Sequence, residues 1–268
     1  MKLPIIDLQN KKVGTKELPA QFNEPYRPDL IKRAVLSLQS VERQKYGASP
    51  EAGIRTSSEI SRRRRKYRGA YGLGVSRVTR KILTRRGTRF FWVGALSPNT
   101  RGGRRAHPPK AKKIWEQKIN QKENSKAIRS ALAATLEKNI VQERGHKVPE
   151  QYPFIASSEL ENINKTKDVE KILTTLNFQE ELVRSSIKKV RAGKGKLRGR
   201  KYQRKKGILI VVGGECPLLN SARNIPGVEI VGINQLNAKL LAPGSLPGRI
   251  TIYTEKAIDR LGKEKLYC

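Results

Sequence analysis

Gly207-Ile208-Leu209-Ile210-Val211-Val212-Gly213-Gly214 is an apolar run with no polar residue between its bounding glycines. A strand with one wet face alternates apolar and polar residues. A run that does not alternate, and is too short for an ordinary helix, reads as a strand buried on both faces. Such strands belong to parallel sheets covered by helices. The residues that follow repeat the theme with short links. Ser221-Ala222-Arg223-Asn224 reads as part of a short helix and Val228-Glu229-Ile230-Val231 as a second strand. Gln235 to Leu241 is a helix closed by Ala242-Pro243-Gly244, Arg249 to Thr254 a third strand, and Glu255 to Leu261 a last helix. Alternation of this kind predicts an α/β fold: a mostly parallel sheet flanked by helices, three-layered and Rossmann-like.

Toward the N terminus the same reading continues. Glu159 to Val190 carries one or two helices, and Val148 to Ser157 holds a short strand around Tyr152-Pro153-Phe154-Ile155. Lys112 to about Arg144 is the longest helical pattern, with Ile114, Ile119, Ile128, Leu132, Leu136 and Ile140 apolar, Asn124-Ser125 as a candidate break and Gly145 as the stop. At the start, Leu3 to Leu8 reads as a strand that turns at Lys11 to Gly14. A helix then runs from Pro28-Asp29, with Leu30, Ile31, Ala34, Val35, Leu38 and Val41 at helical spacing, to Tyr46-Gly47. There is no internal repeat.

The formal charge of the 268-residue chain is +34, and it is unevenly spread. Residues 61–113 hold 18 Lys or Arg and no Asp or Glu, and residues 184–206 hold 12 more, again with no acid. Without them, 27 basic and 23 acidic residues remain, an ordinary surface near +4. A solvated charged face mixes signs, whereas an acid-free segment repels itself and gains order against a polyanion. The division expected is a globular α/β domain of 1–46 and 114–268 with an extended basic loop, 47–113, inserted in it. Glycines at 69, 72, 74, 87, 94 and 102 argue against sustained helix there. Lys81-Ile82-Leu83 and Phe90-Phe91-Trp92-Val93 read as a hairpin around Arg85-Arg86-Gly87-Thr88.

Phosphate backbones are the polyanion of choice, because each phosphate neutralised releases counterions. The candidate contacts in the first segment are Arg62, Arg63, Arg64, Arg65, Lys66, Arg68, Arg77, Arg80, Lys81, Arg85, Arg86, Arg89, Arg101, Arg104, Arg105, Lys110, Lys112 and Lys113. Those in the second are Lys194, Lys196, Arg198, Arg200, Lys201 and Arg204. Tyr67, Tyr71, Phe91 and Trp92 are candidates for stacking on splayed RNA bases. Phe90-Phe91-Trp92 is equally well read as a clasp within its own hairpin. An anionic membrane is the competing polyanion. The chain has no apolar run of about 18 residues or more, and its opening Met1-Lys2-Leu3-Pro4 lacks a signal-peptide core, so a soluble intracellular protein without membrane contact is expected. Two cysteines fit a reducing compartment.

No cofactor or metal is expected. Gly213-Gly214-Glu215-Cys216-Pro217 follows a buried strand but matches neither the dinucleotide pattern nor a phosphate-binding loop, and reads as a tight turn. His107 and His146 have no nucleophile or carboxylate recognisable beside them, and read as RNA contacts or plain surface. Cys216 reads as a small buried residue. An RNA-modifying enzyme with a basic insertion is the alternative from another class, and a chromosomal DNA-binding protein a weaker one.

Arg101-Gly102-Gly103-Arg104-Arg105-Ala106-His107-Pro108-Pro109-Lys110, a helix beginning near Trp115, and Gly193-Lys194-Gly195-Lys196-Leu197-Arg198-Gly199-Arg200 leading into the 207 strand resemble the family of large-subunit ribosomal protein four in its archaeal or eukaryotic form. The resemblance spans essentially the whole chain. It implies a non-enzymatic protein of the cytoplasmic ribosome, with neighbouring large-subunit proteins and ribosomal RNA as partners. Its internal loop would line the nascent-peptide exit tunnel and meet the nascent polypeptide near a tip between Arg62 and Arg89. Many relatives read Lys-Gly-Thr-Gly-Arg-Ala at the tip, where this chain has Tyr67 to Arg77. The end at Cys268, without the long basic extension of eukaryotic members, implies the archaeal type.

Overall fold

The computed structural model describes residues 1–52, 64–65, 71–72, 74, 80–86, 89–94 and 105–268. Their packing forms two compact units, Met1–Glu42 with Glu116–Cys268, and Arg43–Trp115.

The first unit opens with an antiparallel hairpin of β1 (Lys2–Ile6) and β2 (Lys12–Glu17), followed by α1 (Pro28–Glu42). The second unit contains another hairpin, β3 (Arg80–Arg86) with β4 (Arg89–Gly94), in which Arg86 pairs with Arg89 and Arg80 with Gly94. This is the hairpin expected around Arg85 to Thr88. The first unit resumes with α2 (Gln121–Leu136), α3 (Lys138–Glu143), β5 (Ile155–Ala156), α4 (Thr166–Thr175) and α5 (Gln179–Ser186). It ends with β6 (Lys189–Val190), β7 (Tyr202–Gln203), β8 (Leu209–Val212), α6 (Leu218–Ser221), β9 (Glu229–Gly232), α7 (Ala238–Leu241), β10 (Thr251–Thr254) and α8 (Glu255–Lys263).

The sheet order is β2-β1-β5-β10-β8-β9, parallel throughout except for the β2 edge. The 207–214 run forms β8, second from the opposite edge, in register with β10 on one side (Ile210 opposite Ile252) and β9 on the other (Ile210 opposite Ile230). Its side chains divide between two cores as a doubly covered strand requires. Leu209 and Val211 pack with α1, α2, α7 and α8 through Ile31, Leu132, Leu241 and Leu261. Ile208, Ile210 and Val212 pack with α4 and α6 through Leu173 and Leu218, beside Phe154 and Phe178. Each such side chain contributes about 1.5–3 kcal/mol through removal from water.

Several boundaries differ from those the sequence suggested, for physical reasons. The helix expected from Lys112 starts at Gln121, because the backbone of Gln117 is taken by α1: Ser37 Oγ donates to its carbonyl at 2.5 Å, and its N–H donates to Ser40 Oγ at 2.9 Å. The break falls at Glu137, in extended conformation between α2 and α3, and Asn124-Ser125 lie inside α2. α1 ends at Glu42 rather than Tyr46-Gly47, the next residues belonging to the second unit. Asn237 caps α7, its side chain accepting from Leu240 N, so the 235–241 helix shortens to Ala238–Leu241 behind a 3-10 turn at Ile233–Gln235. The helix placed at 221–224 is Leu218–Ser221, which starts just after Pro217.

Candidate nucleic-acid interface

The second acid-free tract forms a small two-stranded ribbon between α5 and β8. Lys189 pairs with Gln203 and Val190 with Tyr202, and beyond them Arg191 N donates to Lys201 O at 2.8 Å and Arg191 Nε to Arg200 O at 3.1 Å. A 3-10 turn at Lys194–Lys196 lies within the connection between the two strands. Lys194, Lys196, Arg198, Arg200, Lys201 and Arg204 are all exposed, and Leu197 at the far end is 90% exposed. The ammonium of Lys188 sits 3.7 Å from the Tyr202 ring centroid and that of Lys201 at 5.5 Å, so the phenol ring relieves part of the crowding of positive charge.

A ribbon this short is marginal by itself, and a buried polar network holds its base. Glu181, fully buried on α5, accepts from Arg184 Nε at 2.7 Å, Arg184 Nη2 at 2.6 Å and Lys147 N at 3.0 Å. His146 Nδ1 lies 2.7 Å from Glu181 Oε1. Arg184 Nη2 also lies 3.1 Å from Nδ1, but the shorter contact is to a carboxylate that can only accept, which favours the proton on Nδ1. Burial lowers the His146 pKa. Burial also pushes the Glu181 carboxyl up, but the hydrogen bonds from Arg184, His146 and Lys147 outweigh it and leave the pKa lowered. Arg184 Nη2 also donates to Lys206 O at 2.7 Å, where the ribbon re-enters the sheet.

One step further, Arg249 has no exposed surface. Its Nε donates to Gly207 O at 2.9 Å and its Nη1 to Glu229 at 2.6 Å and to Leu240 O at 3.0 Å. Lys206 bonds the same Glu229. Burial and the neighbouring Arg249 and Arg184 guanidinium groups lower the Arg144 pKa to about 10.

In the second unit the two ends of the segment meet. Ala48 N donates to Pro109 O at 2.9 Å. Gly47 lies so close to the other strand that a Cβ there would stand 2.6 Å from Ala111 N. The Tyr46 ring lies against that of Trp115 with centroids 4.6 Å apart and planes tilted by 40°, while Arg43 and Lys113 place their charges 5.2 and 5.6 Å from the Trp115 ring. Farther along, Arg64 lies 5.9 Å from the Tyr71 ring.

The carboxyl ends of the sheet strands, where an open α/β sheet would receive a ligand, are closed by protein. Glu161, buried, accepts from Gly213 N at 3.0 Å and from Thr254 Oγ1 at 2.6 Å, and Arg260 donates to Gly213 O. A Cβ on Gly213 would meet Lys256 Cβ at 2.9 Å. Gly213-Gly214 is thus the tight turn expected of it. Among the described residues no cluster of His, Cys, Asp or Glu could hold a metal, and no helix is long and apolar enough to cross a membrane.

Residues 16–264 match the model of the ribosomal protein L4/L1 family. The chain belongs to that family. It is 48% identical over all 268 residues to the large ribosomal subunit protein uL4 of Nanoarchaeum equitans, covering the whole of both chains. The proteins of the same name from Archaeoglobus fulgidus and Methanosphaera stadtmanae are 41% and 42% identical over 264 residues, with 96% or more of each chain covered. The kinship is of the archaeal type. A member of this family is a structural ribosomal protein, not an enzyme, and its place is the ribosome in the cytoplasm.

Among the positions proposed for this ribosomal protein's contacts, Arg64, Arg65, Arg86, Arg89, Arg105, Lys110, Lys112 and Lys113 are exposed in the second unit, as is Phe91, while Tyr71 is half-buried. Arg80, Lys81, Arg85 and Trp92 lie in β3 or β4. Arg62, Arg63, Lys66, Tyr67, Arg68, Arg77, Arg101 and Arg104 lie outside the described residues. The sequence missed Arg43 and Tyr46, which join the basic segment only because its two ends come together. It also missed His146: the residue read as surface or RNA contact is buried against Glu181, a partner 35 positions away. Cys216 is half-buried rather than buried, and burial raises its thiol pKa.

Proposed function

We propose that this protein is a structural constituent of the large ribosomal subunit that binds large-subunit ribosomal RNA through its two acid-free segments. In this reading, residues 47–113 form an arm inserted in a body of 1–46 and 114–268. The arm lines the nascent-peptide exit tunnel and meets the nascent polypeptide near its tip, while neighbouring large-subunit proteins flank the body. One observation carries the RNA reading. Arg64, Arg86, Lys112, Lys194, Arg198 and Arg200 are exposed, and among the described residues none of the six is paired with a carboxylate. Their charge is left for an outside partner. The relatives' shared name supports the choice of subunit.

The test is the affinity of the full chain for large-subunit ribosomal RNA as a function of salt. Log affinity should fall against log salt with a slope of about −0.7 to −0.9 for each phosphate neutralised, and a nearly flat response would refute the reading. The tunnel assignment is tested separately with a photo-crosslinker in place of Phe91 or Arg64 in ribosomes carrying a stalled nascent chain. Crosslinks to the nascent chain are expected, and crosslinks confined to RNA would overturn it.

A further inference from the structure

We infer that the cavity where the two ends of the Arg43–Trp115 unit meet receives a single unstacked nucleotide of RNA, its base on Tyr46 and its phosphate among Lys110, Lys112 and Lys113. This deepens the RNA-binding reading and rests on it. The cavity has a volume of about 730 Å³, inside the range of roughly 300–1,000 Å³ usual for small-ligand sites. Its walls include the Tyr46 and Trp115 rings and the cations of Arg105, Lys110, Lys112 and Lys113, and among the described residues no carboxylate lines it.

Each part of a nucleotide finds a matching group. Tyr46 is 54% exposed, and its ring lies against Trp115 with centroids 4.6 Å apart. Trp115 in turn is held by the charges of Arg43 and Lys113. A flat ring backed by a second ring is a stacking platform that accepts any base. The lysines beside it are exposed and supply the counter-charge for a phosphate. A concave site walled by rings admits a base only when both faces of that base are free, which excludes paired duplex and selects a loop, bulge or single strand. The platform is in place before the ligand arrives. The Ala48–Pro109 hydrogen bond and the Gly47–Ala111 approach fix the two strands that carry Tyr46 and the lysines, so little ordering accompanies binding.

The probe is the trinucleotide UpUpU, compared with the same ribose-phosphate backbone lacking its bases, titrated into the full chain at fixed salt. The wild-type protein should prefer the trinucleotide roughly tenfold. Tyr46→Phe should keep that preference. Tyr46→Ala and Tyr46→Leu, the latter preserving bulk without a π face, should both reduce it about fivefold or more while leaving the affinity for the abasic backbone unchanged. Equal binding of the two probes to wild type would overturn the proposal, as would a preference that survives in both variants. Loss of salt-dependent binding to large-subunit ribosomal RNA by the wild-type chain would instead strike the underlying RNA reading. With that binding intact, an unmoved base preference strikes the cavity alone.

Discussion

The two acid-free segments look alike in composition and are fastened in opposite ways. The ribbon at 188–204 leaves and re-enters the body through ions: Glu181 with Arg184 and His146 on one side, Glu229 with Lys206 and Arg249 on the other. The 43–115 segment, which carries the acid-free stretch 61–113, has its ends joined by a backbone hydrogen bond, a glycine contact and a tilted pair of aromatic rings. Charge density alone therefore says where RNA would bind but not how the binding element is held. Buried ionic anchoring makes a segment sensitive to pH and to loss of either partner, whereas close packing makes it sensitive to a single added carbon.

The largest effect that could break this contrast comes from Glu181→Ala. Removing the carboxylate leaves Arg184 and His146 without their buried acceptor, and breaking a buried pair costs about 3–5 kcal/mol. A loss below about 1 kcal/mol in urea unfolding would show that the network does not hold the ribbon's base. Next is Gly47→Ala, where the new methyl meets Ala111 N. Overpacking of this kind costs about 1–3 kcal/mol locally. It should appear as faster hydrogen exchange at Ala48 N–H and weaker RNA affinity, with the unfolding of the sheet unchanged.

A smaller effect is expected with pH. The folded His146 pKa lies below its ordinary value, so below about pH 6.5 the unfolded chain takes up a proton that the folded chain refuses. Stability should fall on acidification from there until the folded imidazole also titrates. The lowered Glu181 pKa adds a further loss as pH drops through the carboxylate range. His146→Asn, which retains a donor for Glu181, should flatten the curve between pH 7 and 5 and leave the acid limb. An unaltered curve would remove His146 from the account. The smallest stability change belongs to Lys194→Ala, Lys196→Ala and Arg198→Ala combined, within about 0.5 kcal/mol because all three are exposed. The same triple variant should flatten the salt slope for RNA by about 0.7–0.9 for each phosphate contact it removes.

The fold was largely legible because its strands announce themselves locally. The 207–214 run has one reading, and Val228 to Val231 and Arg249 to Thr254 follow it with short links. What escaped were features fixed by partners distant in sequence. Gln117 is withheld from helix by Ser37 and Ser40, some 80 residues earlier, and no local pattern records that. His146 sits in a polar stretch and looks solvated until Glu181 arrives from α5. Arg249 has the chemistry of a surface residue, and only the meeting of Gly207, Glu229 and Leu240 around it makes it internal. The candidate interface was visible as a charge imbalance, which needs no partner to be read. Tyr46 was not, because its role depends on Trp115 across the junction.

The place of β10 in the sheet bears on how the chain is made. β10, the last strand of the described residues, lies in the middle of the sheet and is hydrogen-bonded to β5 on one side and β8 on the other, so it joins the β2-β1-β5 half to the β8-β9 half. Neither half can be completed until Thr254 has emerged, and pairing of such high sequence separation is slow. Both acid-free segments precede that strand in the chain. During translation both positively charged stretches are thus made before the strand that joins the two halves of the sheet.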